Sequence, residues 1–120
     1  MTPASFPRQG EIYLSRALRQ GGDTKKRPVI VVSMDVRNQY STTLLVVPFS
    51  SDVAASSGNP CRILIPAGEG GLERDSVAMG DVITTVEKRY LERGPYGSVR
   101  PESLQRMQKA IQIAIGLYAI

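Results

Sequence analysis

Histidine and tryptophan are missing from this 120-residue chain, and cysteine occurs once. Without an imidazole there is no Ser-His-Asp or Cys-His constellation, which removes the usual hydrolases built on an activated nucleophile. The lone Cys61 cannot form an internal disulfide and has no activating neighbour in the sequence. Zinc is left almost without ligands; hydrolysis through a carboxylate-held metal stays open, although no spacing suggests it, and no cofactor is expected. The glycines do not form a phosphate-binding loop of the GxxxxGK type. Long apolar runs are lacking as well: none approaches the ~20 residues a membrane span needs. The N-terminal MTPASFPRQG has no apolar signal-peptide core. These absences point to a cytoplasmic protein with no membrane partner.

What is present suffices for one core. With 42% hydrophobic residues, the expectation is a single domain over residues 1–120, residues 1–9 forming a flexible tail. A net charge of +4 and a pI near 9.5 favour an anionic partner. EIYLSRAL alternates, with Ile12 and Leu14 on one face and Tyr13 on the other, and the run PVIVV is apolar on both faces and β-branched, as suits a covered strand. SMDVRNQYS carries turn formers and room for at most one helical turn. TTLLVVPFS reads as a strand in which Pro48 marks a bulge or an edge. SDVAASSGNP reads as a loop, CRILI as an alternating strand, and SVAMGDVITTV as a strand-like run broken by Gly80. The period then changes: Leu104, Met107, Ile111, Ile115 and Tyr118 recur at three and four residues, one apolar face of a helix started by Pro101 and Glu102 and weakened at Gly116. The fold class is mainly β, a small antiparallel barrel or half-barrel with a C-terminal helix.

The chemistry left to such a chain is that of arginine, lysine, hydroxyl and carboxylate, a set that suits binding and polarising a phosphate. Its densest point is GGDTKKRPVIVV, where Lys25, Lys26 and Arg27 precede the covered strand. The cluster reads either as a phosphate site or as a solvated strand end that discourages edge pairing. Ser50 reads equally as a strand-end serine bonding its own loop. A carboxylate suits the role of proton acceptor, which leaves Asp81 or the loop residue Asp23 as candidates, each read otherwise as the partner of Arg74 or a nearby lysine, and Asp75 is a turn cap. Tyr40 and Phe49 are stacking candidates or core aromatics.

Taken together, GEIYLSRAL, KKRPVIVVSMDVRN, LLVVPFSSD, GLERDSVAMGDVITTVEKRYL and the closing PESLQRMQKAIQIAIGL resemble, in order and spacing, the MazF/PemK toxins of bacterial toxin-antitoxin modules. The resemblance runs from about Gly10 to the end. It implies the plasmid-maintenance-toxin (MazF/CcdB-like) fold, a five-stranded SH3-like β barrel. It also implies a homodimer that cuts single-stranded RNA at short sequences without a metal, leaving a 2′,3′-cyclic phosphate and a 5′-hydroxyl. An antitoxin encoded alongside would inhibit it with an acidic, disordered tail. The family's catalytic arginine falls on Arg27 and its threonine on Ser50, which keeps the hydroxyl but loses a methyl. Asp81 matches an acidic position used by some members, though Val82 stands where many carry glutamine. Lys25, Lys26 and Asp23 would line the RNA path, with loops 18–26 and 51–60 reading bases. The competing implications are a CcdB-like toxin that grips gyrase and a silent member that only binds RNA or antitoxin.

Overall fold

The computed structural model describes residues 5–16 and 25–117. Its elements are β1 (Glu11–Ser15), β2 (Arg27–Val31), α1 (Asp35–Tyr40), β3 (Thr43–Ser50), β4 (Arg62–Ile65), β5 (Ser76–Met79), β6 (Thr84–Glu87), β7 (Gly97–Ser98) and α2 (Pro101–Ala114). Single 3₁₀ turns stand at Ala54–Ser56, Glu69–Gly71 and Lys88–Tyr90. All pairings are antiparallel, in the order β4-β5-β3-β2-β1-β7 with β6 also on β3. The expected mainly β architecture closed by a helix is thus present, its curled antiparallel sheet counting seven strands among the described residues.

β3 organises the sheet. Thr43 to Val46 pair with β6, whereas Phe49 and Ser50 pair with β5. Pro48, opposite Val29 of β2, falls in the gap where the strand changes partner, so its missing N–H removes no bond from that side. The doubly apolar β2 is covered twice. Ile30 joins Ile12, Val47, Ile63, Ile65 and Met107 in the core beneath α2. Val29 and Val31 join Tyr13, Leu44, Val46 and Val86 on the opposite face. Burial of these branched side chains, at roughly 1.5 to 3 kcal/mol each, is what holds the curled sheet together.

Two local expectations are revised and a third is met. DVRNQY forms a six-residue helix, because the buried Asn38 donates to the Ser33 carbonyl at 2.8 Å and accepts the Ser33 hydroxyl, tying the segment to the end of β2; the Ser33 hydroxyl oxygen in turn accepts the Leu45 N–H of β3 at 3.0 Å. SVAMGDVITTV breaks at Gly80 as expected, into two strands that pair with different stretches of β3. Gly116 stops α2 rather than loosening it: at φ +83° it lets Leu117 N–H reach the Gln112 carbonyl at 2.8 Å and its own N–H reach Ile113 at 3.1 Å, a complete Schellman turn. Met107 and Ala110 are buried while Ile115 is exposed and Tyr118 lies outside the described residues. At the other end, Gln9 is fastened to the domain rather than free. Its N–H donates to Asp35 at 2.8 Å and its side chain to the Val32 carbonyl at 2.9 Å. Among the described residues no helix is long and apolar enough to cross a membrane.

Candidate active site

Arg27 opens β2 opposite Ser15, with Pro28 opposite Leu14. On its other side β2 pairs with β3 through Val29 and Pro48. Continuing that antiparallel register by two residues sets Arg27 across from Ser50. Two residues 23 positions apart in sequence are thereby brought to the same mouth of the sheet, and both line a cleft of about 440 Å³. Lys25 and Lys26 form one rim, Ser51 continues from Ser50, and Glu73, Arg74 and Ser76 come from the segment that leads into β5. Leu72, Phe49 and Tyr96 supply its apolar surface.

The cleft is electropositive, with four cations and one carboxylate among its described residues, a balance that concentrates anions. Lys26 is held by a carboxylate of the fold. Lys26 Nζ stands 2.6 Å from Glu92 Oε1, and this hydrogen bond lowers the pKa of the Glu92 carboxyl below its ordinary value, favouring the carboxylate. The Ser50 hydroxyl oxygen accepts the Asp52 N–H at 3.1 Å. Serine carries one donor as well as two acceptor sites, so this bond fixes Oγ while leaving its proton to donate elsewhere. The loop-bonding reading of Ser50 and a role in the cleft are therefore compatible.

Other sequence candidates go elsewhere. Asp81 receives a fork from Arg62, Nε to Oδ1 at 3.0 Å and Nη2 to Oδ2 at 3.3 Å, and is not among the residues lining the cleft. Its cation is Arg62 on β4, not Arg74. Asp75 accepts the Ala67 N–H at 2.9 Å and so closes the 67–75 turn, as a cap does. Tyr40 is 80% exposed at a different depression, beside Glu87 and Arg89. Phe49 lines the cleft and also packs on the core. Asp23 lies outside the described residues, as do residues 18–24 of the first base-reading loop. Arg74, Glu73 and Tyr96 were not anticipated in the cleft, because only the β3–β5 pairing and the approach of β7 bring their loops to it. Among the described residues no group of three or more His, Cys, Asp or Glu side chains is gathered as a metal site.

The far wall is anchored to α2. Glu69, its side chain 3% exposed, accepts the Arg100 backbone N–H at 3.0 Å and Arg100 Nε at 3.2 Å. Burial alone would raise its pKa, but hydrogen bonds from Ser103 and Arg100 outweigh this and hold it below the ordinary value. A carboxylate from a distant turn thus serves the helix N-terminus, where Arg100 makes no side-chain cap.

The model of one protein family, PemK-like, MazF-like toxin of type II toxin-antitoxin system, matches residues 8–115. Endoribonuclease MazF of Staphylococcus saprophyticus is 29% identical over 119 residues, covering 94% of each chain. Endoribonuclease EndoA of Bacillus subtilis is 28% identical over 115 residues, covering 92% of this chain and 95% of its own. A solved mycobacterial endoribonuclease in complex with its cognate antitoxin superposes with a TM-score of 0.76 at 20% identity, over 95% of this chain and 99% of the other. That likeness shows the same fold.

Proposed function

We propose that this chain, which belongs to the PemK-like, MazF-like toxin family of type II toxin-antitoxin systems, is a cytoplasmic, metal-independent endoribonuclease that cuts single-stranded RNA to 2′,3′-cyclic phosphate and 5′-hydroxyl ends. The observation that carries this reading is the meeting of Arg27 and Ser50 in one cationic cleft. The names of its similar proteins, endoribonucleases from Staphylococcus saprophyticus and Bacillus subtilis, support it.

As a ribose 2′-oxygen attacks the adjacent phosphorus, negative charge accumulates on the non-bridging oxygens. The Arg27 guanidinium donates two hydrogen bonds to them in its planar fork and remains protonated throughout. Ser50 donates its proton as a further hydrogen bond to the same phosphate. The 2′-hydroxyl must lose a proton, and with Asp81 held by Arg62 the acceptor is Glu73, the carboxylate among the described residues that line the cleft. The P–O5′ bond breaks, the leaving oxygen takes a proton from solvent, and no water is consumed, which is why the product is cyclic. Arg74 and Lys25 hold neighbouring phosphates.

The partners follow from the same charge. An acidic antitoxin tail that folds on binding competes with RNA for the cleft; the solved complex of a similar endoribonuclease with its cognate antitoxin supports such a partner. The exposed Met34, Val36, Ile115 and Leu117 support a homodimer. The test is incubation of the pure protein with a long RNA in EDTA, followed by end mapping. Cyclic phosphates with 5′-hydroxyls are expected. Intact RNA, or 5′-phosphate ends, would overturn the proposal.

A further inference from the structure

Of the two aromatic side chains among the cleft's described residues, Phe49 packs against the core, whereas Tyr96 keeps 43% of its surface exposed. A half-wet ring on a connection is ordinarily mobile, but this one is held from behind. Its backbone N–H donates to the Ile12 carbonyl at 2.8 Å, and the next residue, Gly97, begins β7 opposite Ile12. There the chain meets the Glu69–Gly71 turn so closely that a Cβ on Gly97 would stand 2.1 Å from the Gly70 carbonyl oxygen. A Cβ on Gly71 would stand 3.2 Å from Cε2 of the Tyr96 ring. Gly97 thus permits an approach that any Cβ would block, and Gly71, at φ +79°, leaves the ring uncrowded; the result is a tyrosine backed by peptide on one side and facing the cleft with the remainder.

We propose that Tyr96 is a base-stacking platform, which seats the nucleobase adjoining the phosphate on Arg27 and so determines which nucleotides are tolerated beside the cut. The inference rests on the ribonuclease reading above. Single-stranded RNA alternates anionic phosphates with flat, largely apolar bases, and this cleft offers a surface for each: Arg27, Lys25 and Arg74 for the phosphates and Tyr96 for a base. A ring already fixed by its backing loses little freedom when a base lands on it. Tyrosine suits a surface that is apolar at its centre and wet at its hydroxyl end. Selection at this position is by stacking area rather than by hydrogen bonds to one base edge, so it takes the form of a graded preference.

The measurement uses 2′-O-methylated oligonucleotides, which lack the nucleophile, carrying 2-aminopurine at successive positions. Binding to the parent should quench the fluorophore at one position. Tyr96→Phe should preserve the quenching, and Tyr96→Leu should abolish it while raising KM for cleavable RNA about 5- to 150-fold, the loss of one base-aromatic stack. The single-turnover rate at saturating RNA should stay within about two-fold, because the reacting phosphate is still held by Arg27. A parent that cuts RNA in EDTA but quenches no position, or a Tyr96→Leu protein with unchanged KM and cut-site profile, overturns the stacking role alone. A parent that neither cuts nor binds RNA removes this inference together with the ribonuclease reading.

Discussion

Replacing Arg27 with lysine isolates the chemistry proposed for the cleft, because it keeps the positive charge and removes the planar pair of donors. Arg27 is exposed at the first position of β2, and its side chain is not part of either apolar cluster. The change therefore leaves the sheet intact and confines its effect to what the guanidinium touches. If that group holds two oxygens of the pentacovalent phosphorane, one or two charge-assisted hydrogen bonds are lost at roughly 1.5 to 3 kcal/mol each. At about 1.4 kcal/mol per decade, cleavage slows from about ten-fold for one weak bond to about 20,000-fold for two strong ones. RNA affinity should fall little, since a lysine at the same place still attracts the backbone. Single-turnover cleavage in EDTA, paired with binding of a 2′-O-methylated RNA, reads the two quantities separately. A lysine variant that cuts as fast as the parent would falsify the bidentate role, and with it the main physical case for catalysis over mere grip.

Ser50→Ala should slow cleavage about 5- to 30-fold, the loss of one hydrogen bond of ~1 to 2 kcal/mol, whereas Ser50→Thr should retain the parental rate; a silent alanine variant would remove the hydroxyl from the reaction. Affinity for uncleavable RNA should decline with log salt at about −0.7 per neutralised phosphate. Because Lys26 is tied to Glu92, Glu92→Gln should steepen that slope by about 0.7 and Lys25→Ala/Lys26→Ala should flatten it; an unchanged slope in both would show that this rim lies off the RNA path. Glu69, whose folded pKa lies below the ordinary 4.5, contributes stability that is present above that value and lost as pH falls through the folded pKa. Glu69→Gln should therefore lower stability by about 1 to 3 kcal/mol at pH 7, and the difference should shrink on acidification; urea titrations showing the same gap at both ends of that range would refute the sign.

Much of the fold was legible because it rests on local pattern. The both-faced apolar β2 required cover on two sides, and Ile30 and Val31 indeed enter different clusters. The three-and-four spacing around Met107 marked α2, although its innermost residues include the small Ser103 and Ala110 that let the helix approach the sheet. The site was less legible, since it depends on register. Nothing in the spacing of Arg27 and Ser50 says that their strands are neighbours; the family resemblance paired them. The Asp81 carboxylate illustrates the converse. Its fork with Arg62 arises from the β4–β5 pairing that sets Arg62 opposite Met79, two residues before the aspartate. No sequence pattern marks that contact. Tyr96 escaped notice because the feature that fixes it is the mutual approach of two glycine-bearing segments distant in sequence.

The resemblance read from the sequence puts Ser50 where the family's motif carries threonine, and for that proposed exchange the surrounding backbone supplies a compensation. In a β-branched residue the extra methyl restricts χ1 and so aims the hydroxyl. Serine has no such restriction, yet here the Asp52 N–H holds Oγ at 3.1 Å, and Asp52 itself is fixed by accepting the Ala55 N–H at 3.1 Å as the chain enters the Ala54–Ser56 turn. The orientation that a methyl enforces through sterics is enforced in this chain by a short relay of loop hydrogen bonds. The sensitive point therefore moves from the side chain to the loop. Asp52→Ala, which releases the Ala55 N–H and loosens the turn that presents the Asp52 amide, should slow cleavage by part of the Ser50→Ala effect and should be rescued by adding Ser50→Thr, whose own branching no longer needs the relay. If the double variant is as slow as Asp52→Ala alone, the loop does not aim the hydroxyl, and the serine's tolerance has another cause.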